Sequence, residues 1–201
     1  MKTINGLTKK EAMEKAFKLS YQSESSRGSC AQATFHGATS VLGIKNPQIF
    51  KSLSSLEGGG AVTTAGSCGA FSGGLVVISF FFGRTYDKWY EGKSYIKSSV
   101  YGQKLYKKFI AEYKTVICRE IHQKIFGRTF KLMDETNLGI DKNQLKEFEA
   151  MGAHENICTT VAGLSAMWVI DILWDELPQD IDISKTPDHE KAKKNFQIKK
   201  T

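Results

Sequence analysis

The chain has 201 residues, 41% of them apolar and 24% charged, with a formal net charge of +7 and a pI of about 9.1. That length suits one domain with embellishments, and the scarcity of proline, 3 residues against 18 glycines, argues against a turn-rich β sandwich. The opening MKTINGLTKKEAMEKAF lacks the apolar core of a signal peptide, and the longest apolar run, Leu75 to Phe82, is too short for a bilayer. These features predict a cytoplasmic protein without membrane contact, whose thiols are kept reduced.

Thr8 and Glu11 form the pattern of a capping box, opening a helix through AMEKAFKLSYQS. Ala12, Ala16 and Leu19, with Phe17, mark its inner stripe, and Ser25 to Gly28 should end it. A second helix is expected from near Ser29 to Gly43, and a third from Asn46-Pro47, with Asn as cap and Pro in the first turn. The glycines Gly58 to Gly60 open a loop that lets backbone approach another group closely. Leu75 to Phe82 reads as a buried helix, with a short strand as the competing expectation.

A basic amphipathic helix is predicted over Lys93 to Lys114, with Ile96, Val100, Leu105, Phe109 and Ile110 as its inner edge. CREIHQKIF should form another, stopped by Gly127. Arg128 to Glu149 reads as a polar insertion with a turn at Asn137 to Gly139, and a last helix covers Glu155 to Trp174. The expected fold class is therefore all-α: a compact multi-helix bundle with a Gly-rich loop before a buried helix. Residues 1–178 would form one domain with the insertion at 128–149, and 179–201 a basic arm.

The four cysteines, Cys30, Cys68, Cys118 and Cys158, share a local setting. Cys30 follows Gly28-Ser29, Cys68 lies between Ser67 and Gly69, Cys158 precedes Thr159-Thr160, and Thr115 is a candidate cap before Cys118. Each sits at a predicted helix start, where free amides and the helix dipole favour a thiolate or an anionic metal–sulfur cluster. Four unrelated core cysteines are the plain alternative. No C-x-x-C is present, which argues against zinc-ribbon, thioredoxin and c-type haem patterns, and GSCGAFSGG lacks the Lys of a phosphate loop.

Histidine offers a rival arrangement. His122 follows Cys118 by four residues and His154 precedes Cys158 by four, so two Cys/His pairs could hold zinc. His36 reads as a helix-face residue. The positive charge gathers between Lys93 and Lys131 and from Lys185 to Lys200, which reads first as a solvated face. It would also suit an acidic partner, while nucleic acid lacks a supporting signature. No nucleophile elbow, HExxH or helically spaced carboxylate pair points to a hydrolase.

SCAQATF around Cys30, GGGAVTTAGSCGAFSGG around Cys68, ICREI at Cys118 and ICTTVAG at Cys158 together resemble the C-GCAxxG-C-C family of redox-active proteins. The mark is the CGAxxG box from Cys68 to Gly73, preceded by one cysteine and followed by two. A related module occurs in split-Soret cytochromes c. The resemblance runs from about Ser29 to Ala166; Glu57 stands where the family usually has an aromatic, and there is extra length around Arg84 to Lys97 and Arg128 to Glu149.

The resemblance implies a helical redox protein with Cys30, Cys68, Cys118 and Cys158 as ligands of an iron–sulfur cluster, either [2Fe–2S] or [4Fe–4S]. Electron transfer or redox sensing would follow, making the protein an electron carrier or an oxidoreductase. A metal-free thiol/disulfide protein and a zinc-binding structural or interaction protein are the alternatives. The redox partner is undefined, and a homodimer would be compatible with a shielded or shared cluster.

Overall fold

The computed structural model describes residues 2–178; the expected basic arm, 179–201, lies outside the described residues. Among those described there are nine α-helices and no strand, only isolated bridges. The all-α expectation holds.

Helix α1 (Lys9–Arg27) starts from the Thr8–Glu11 capping box. It runs through Ser25 and Ser26, past the first residues expected to break it, and stops at Gly28, whose φ of 69° closes the last turn. Ala12, Ala16, Ser20 and Glu24 are buried at a spacing of four, so the inner stripe ends in polar side chains rather than at Leu19. Phe17 packs on Gly163, where an added Cβ would lie 2.9 Å from its ring.

Helix α2 (Cys30–Val41) and α3 (Pro47–Ser52) fall where caps and prolines place them, with the Asn46 side chain accepting the Ile49 N–H. A 3-10 turn at Ser54–Gly59 leads into the glycine loop and then α4 (Gly69–Phe82), so the helical expectation holds and the strand alternative fails. The burial is one-sided. Phe71, Val77 and Ile78 are buried, but Ser79 is exposed and Phe80 to Phe82 are half-buried.

Two elements depart from expectation. A short helix, α5 (Tyr86–Tyr90), occupies the extra length after Arg84. The basic helix is α6 (Ile96–Tyr113), whose buried side is Gly102, Leu105, Phe109 and Tyr113. Ile96 and Val100 belong to its exposed side. Each precedes Leu105 or Phe109 by nine residues, which at 100° per residue is half a revolution.

Helix α7 (Cys118–Phe126) ends at Gly127 with φ 74°, as the glycine predicts. Residues 128–149 are less peripheral than a polar insertion. A turn held by the Asp134 carboxylate, which accepts from the Thr136 and Asn137 N–H groups, leads to α8 (Lys142–Ala150). Phe130, Leu132 and Phe148 join Phe126 and Ala153 in a second apolar cluster beside Cys158. A π-turn at Ala153–Ile157 then feeds α9 (Cys158–Leu173).

Helix α9 is the axis of the bundle, packed against α1, α2, α4 and α6. The stretch Ala153–Glu176 has the length and apolarity of a membrane span, a property that core helices share, and 56% of its span-length window is buried within the fold. Ser165 donates to the Ala70 carbonyl at 2.8 Å, tying α9 to α4. Gly73 lets α4 cross α2: a Cβ there would lie 2.4 Å from the Ala31 carbonyl oxygen. The contact falls on Ala31, the residue next to Cys30 in α2. Gly73→Ala should therefore destabilise by about 1–3 kcal/mol through overpacking, read as a lower urea midpoint at unchanged slope.

Candidate functional site

Each of the four cysteines stands at a helix start. Cys30, Cys118 and Cys158 are the first residues of α2, α7 and α9, and Cys68 caps α4. All four line a single cavity of about 240 Å³. The sequence, with the outermost two 128 positions apart, required the fold to bring them together, and it does.

Backbone contacts set this convergence. The Cys68 N–H donates to the Val116 carbonyl at 2.7 Å, and the Cys118 N–H to the Gly66 carbonyl at 2.9 Å. The Arg119 N–H donates to the Thr64 carbonyl at 2.9 Å, so the two cysteine-bearing segments are clamped side by side. Thr115 does not cap α7 as expected: Ile117 is the N-cap and no side chain caps the helix, while the Thr115 hydroxyl accepts the Ile117 N–H just ahead of it.

The glycine loop fits into the remaining space. A Cβ on Gly59 would sit 2.9 Å from Cys118 Cβ, and one on Gly69 would sit 2.5 Å from Cys30 Sγ. Positive φ extends beyond the glycines to Ala61, Val62 and Thr64. For β-branched Val62 and Thr64 that backbone is strained, as is common beside functional sites.

The amides do not serve the sulfurs as the helix-start argument expects. The Cys68 and Cys118 N–H groups are taken by carbonyls, and the Cys158 N–H donates to Ala153 across the π-turn. The amide that does reach a sulfur is that of Gly58, donated to Cys30 from the glycine loop.

Burial then reverses the expected thiol chemistry. The hydrogen bond with Cys68, followed by loss of water and the nearby Glu24, pushes the Cys30 thiol up. Burial first, and the neighbouring cysteines second, raise Cys118 and Cys158. In the metal-free protein these three thiols hold their protons, through Cys68 and then desolvation at Cys30, and through desolvation first at Cys118 and Cys158. The mutual influence of Cys30, Cys118 and Cys158 also shows how near one another they lie.

The histidines separate. His122 is buried against Phe126, Phe130 and Phe148, with Nε2 3.6 Å from Cys118 Sγ. Burial lowers its pKa to about 4, so the ring is neutral. His154 instead meets carboxylates at both nitrogens, Glu149 at 2.6 Å and Glu24 at 3.7 Å. The π-turn breaks the four-residue register that would have aligned it with Cys158. His36 stays exposed, with Nδ1 2.9 Å from the Ser23 hydroxyl. Among the described residues, no group of three His, Cys, Asp or Glu side chains is drawn close enough to hold one metal ion.

Three buried polar atoms on the cavity wall lack any hydrogen-bond partner: Glu24 Oε2, Ser29 Oγ and His122 Nδ1. Unpaired buried polar atoms are costly and call for a ligand, ion or water. Glu24 and Ser29 were not legible as site residues, although the buried spacing Ala12, Ala16, Ser20, Glu24 carried the signal. Burial, then the charges of Glu57 and Glu149, raises the Glu24 pKa from 4.5 to about 8.

A family model described as "Putative redox-active protein (C_GCAxxG_C_C)" matches residues 29–172, a span that contains all four cysteines. No curated protein and no solved structure matches the chain.

The Glu24 shift predicts a pH signature. A folded-state pKa above the unfolded value means that stability is lost as pH rises from 4.5 toward 8. Metal-free wild type and Glu24→Gln should have similar urea stabilities below pH 4.5. Above that the variant should gain by up to about 1.4 kcal/mol per pH unit, levelling off near pH 8.

Proposed function

Because the chain belongs to the C_GCAxxG_C_C family of redox-active proteins, we propose that Cys30, Cys68, Cys118 and Cys158 hold an iron–sulfur cluster for electron transfer or redox sensing. The observation that carries this reading is the convergence of four distant cysteines on one cavity.

The donor set fits such a group. Four sulfur ligands complete a [2Fe–2S] or [4Fe–4S] cluster, and soft thiolates select iron–sulfur, zinc or copper(I) over hard cations. A single tetrahedral ion needs its sulfurs within about 4 Å of each other, given metal–sulfur bonds near 2.3 Å. A polynuclear group instead suits ligands spread around a cavity wall. Bound there, the cluster would supply one-electron exchange.

The surrounding residues have definable parts. Gly58 N–H donates to Cys30 sulfur and so favours its thiolate. Neutral His122 abuts Cys118 without adding charge. Glu24, protonated below about pH 8, adds no negative charge to a pocket where four thiolates would already repel one another. Phe130, Leu132 and Phe148 shield one flank from water, and hydrogen bonding and solvent exposure are the levers that set a cluster's potential.

One observation favours a second reading, a metal-free dithiol/disulfide couple: the Cys68 thiol is the largest influence on that of Cys30. Against it stands the proton that Cys68, and then burial, hold on Cys30, since the thiolate is the attacking species.

Anaerobic reconstitution with ferrous iron and sulfide separates the two. The cluster reading expects visible charge-transfer absorption with bound iron and sulfide, and loss of most of both in Cys68→Ser and Cys118→Ser. Colourless, iron-free protein would count against it. In metal-free protein, Cys30, Cys118 and Cys158 should react with iodoacetamide at least about tenfold more slowly at neutral pH than an exposed cysteine of pKa about 8.5. Fast alkylation of Cys30 would instead support the dithiol reading.

A further inference from the structure

At the other end of α4 the molecule presents a different chemistry. Fourteen residues of helix at 1.5 Å each put Phe82 roughly 20 Å from Cys68. Beyond it, Tyr86, Trp89, Tyr90, Tyr95, Ile96 and Val100 are all exposed, Trp89 at 53% and Tyr86 at 79%. Large apolar side chains gathered at this exposure mark an interaction site rather than ordinary surface.

Arg84 links part of this surface, sharing one depression with Tyr86 and Trp89. Arg84 lies 4.8 Å over the Tyr95 ring and donates to the Lys93 carbonyl at 3.2 Å, tying the α5 loop to the start of α6. Lys97 sits over Phe82 at 4.6 Å and Lys104 over Tyr101 at 4.0 Å. Between Arg84 and Lys108 the sequence has seven basic and two acidic side chains; Lys97 is paired with Glu176 at 2.8 Å and Lys108 with Asp171 at 2.9 Å, which leaves Arg84, Lys88, Lys93, Lys104 and Lys107 as the excess. The partner is therefore anionic.

We propose that this face docks on anionic lipid membranes, with Trp89, Tyr90, Tyr95 and Ile96 entering the headgroup layer and the lysines lying against lipid phosphates. Trp and Tyr rings beside Lys and Arg are the composition that membrane interfaces favour. Each juxtamembrane basic residue adds to the attraction without needing a fixed geometry.

Protein interfaces are depleted in Lys, whereas here Lys88, Lys93, Lys97, Lys104 and Lys107 outnumber the single arginine. Single-stranded nucleic acid needs open ring faces for stacking, but Trp89 and Tyr90 are packed edge-to-face at 4.8 Å. Docking of this kind needs no spanning helix, so the short apolar run in the sequence does not oppose it. The inference is independent of what the cysteines hold, and the geometry leaves their cavity clear of the membrane.

Co-sedimentation of the full chain with phosphatidylcholine vesicles, with and without phosphatidylglycerol, tests it. Binding should require phosphatidylglycerol and weaken at least tenfold from low to high salt. Trp89→Ser/Tyr90→Ser, and separately Lys88→Glu/Lys104→Glu, should each weaken it at least tenfold with helix content unchanged by circular dichroism. Cys30→Ser should leave it intact. Absence of binding, binding that survives both surface variants, or tighter binding of the same face to polyglutamate or single-stranded DNA would overturn the proposal.

Discussion

The paired backbone hydrogen bonds between Gly66–Cys68 and Val116–Cys118 hold the centre of this structure together. They join two segments fifty residues apart in the chain and place the starts of α4 and α7 side by side. Gly59 and Gly69 then admit Cys118 and Cys30 at distances that any side chain would forbid. The cysteine cavity therefore comes from backbone packing, and the sulfurs converge without a bond between them. Free thiols at all four positions are consistent with this.

The convergence carries an electrostatic cost. Four sulfurs, Glu24 and Glu57 line the same cavity, and their charged forms repel one another where burial leaves charge poorly solvated. Without a cation the protein relieves this by keeping protons on Cys30, Cys118, Cys158 and Glu24. Iron would relieve it differently, by displacing the thiol protons and neutralising the thiolates. The unpaired Ser29 and His122 atoms belong to the same imbalance, since they too await a partner in the cavity.

Much of the scaffold was legible because its punctuation is local. Thr8–Glu11, Asn46-Pro47, Gly43 and Gly127 mark helix ends through short-range geometry, and all of them act as read. The placement of every cysteine at a helix start was legible for the same reason. What escaped depends on non-local packing. Ile96 and Val100 look like core by composition, but the phase of α6 is set by Leu105 and Phe109 against α4 and α9. Phe130 and Phe148 are isolated rings in a polar stretch, and only the fold brings them together beside His122. The π-turn that withdraws His154 from Cys158 has no clear local signature.

The reading of the cavity as a cluster site is tested most directly by the crystal structure of anaerobically prepared protein, with anomalous diffraction measured at the iron edge. The account predicts an iron peak inside the cavity, with Sγ of Cys30, Cys68, Cys118 and Cys158 all bonded to iron. Iron-free density in which the four thiols face only water or one another would contradict it.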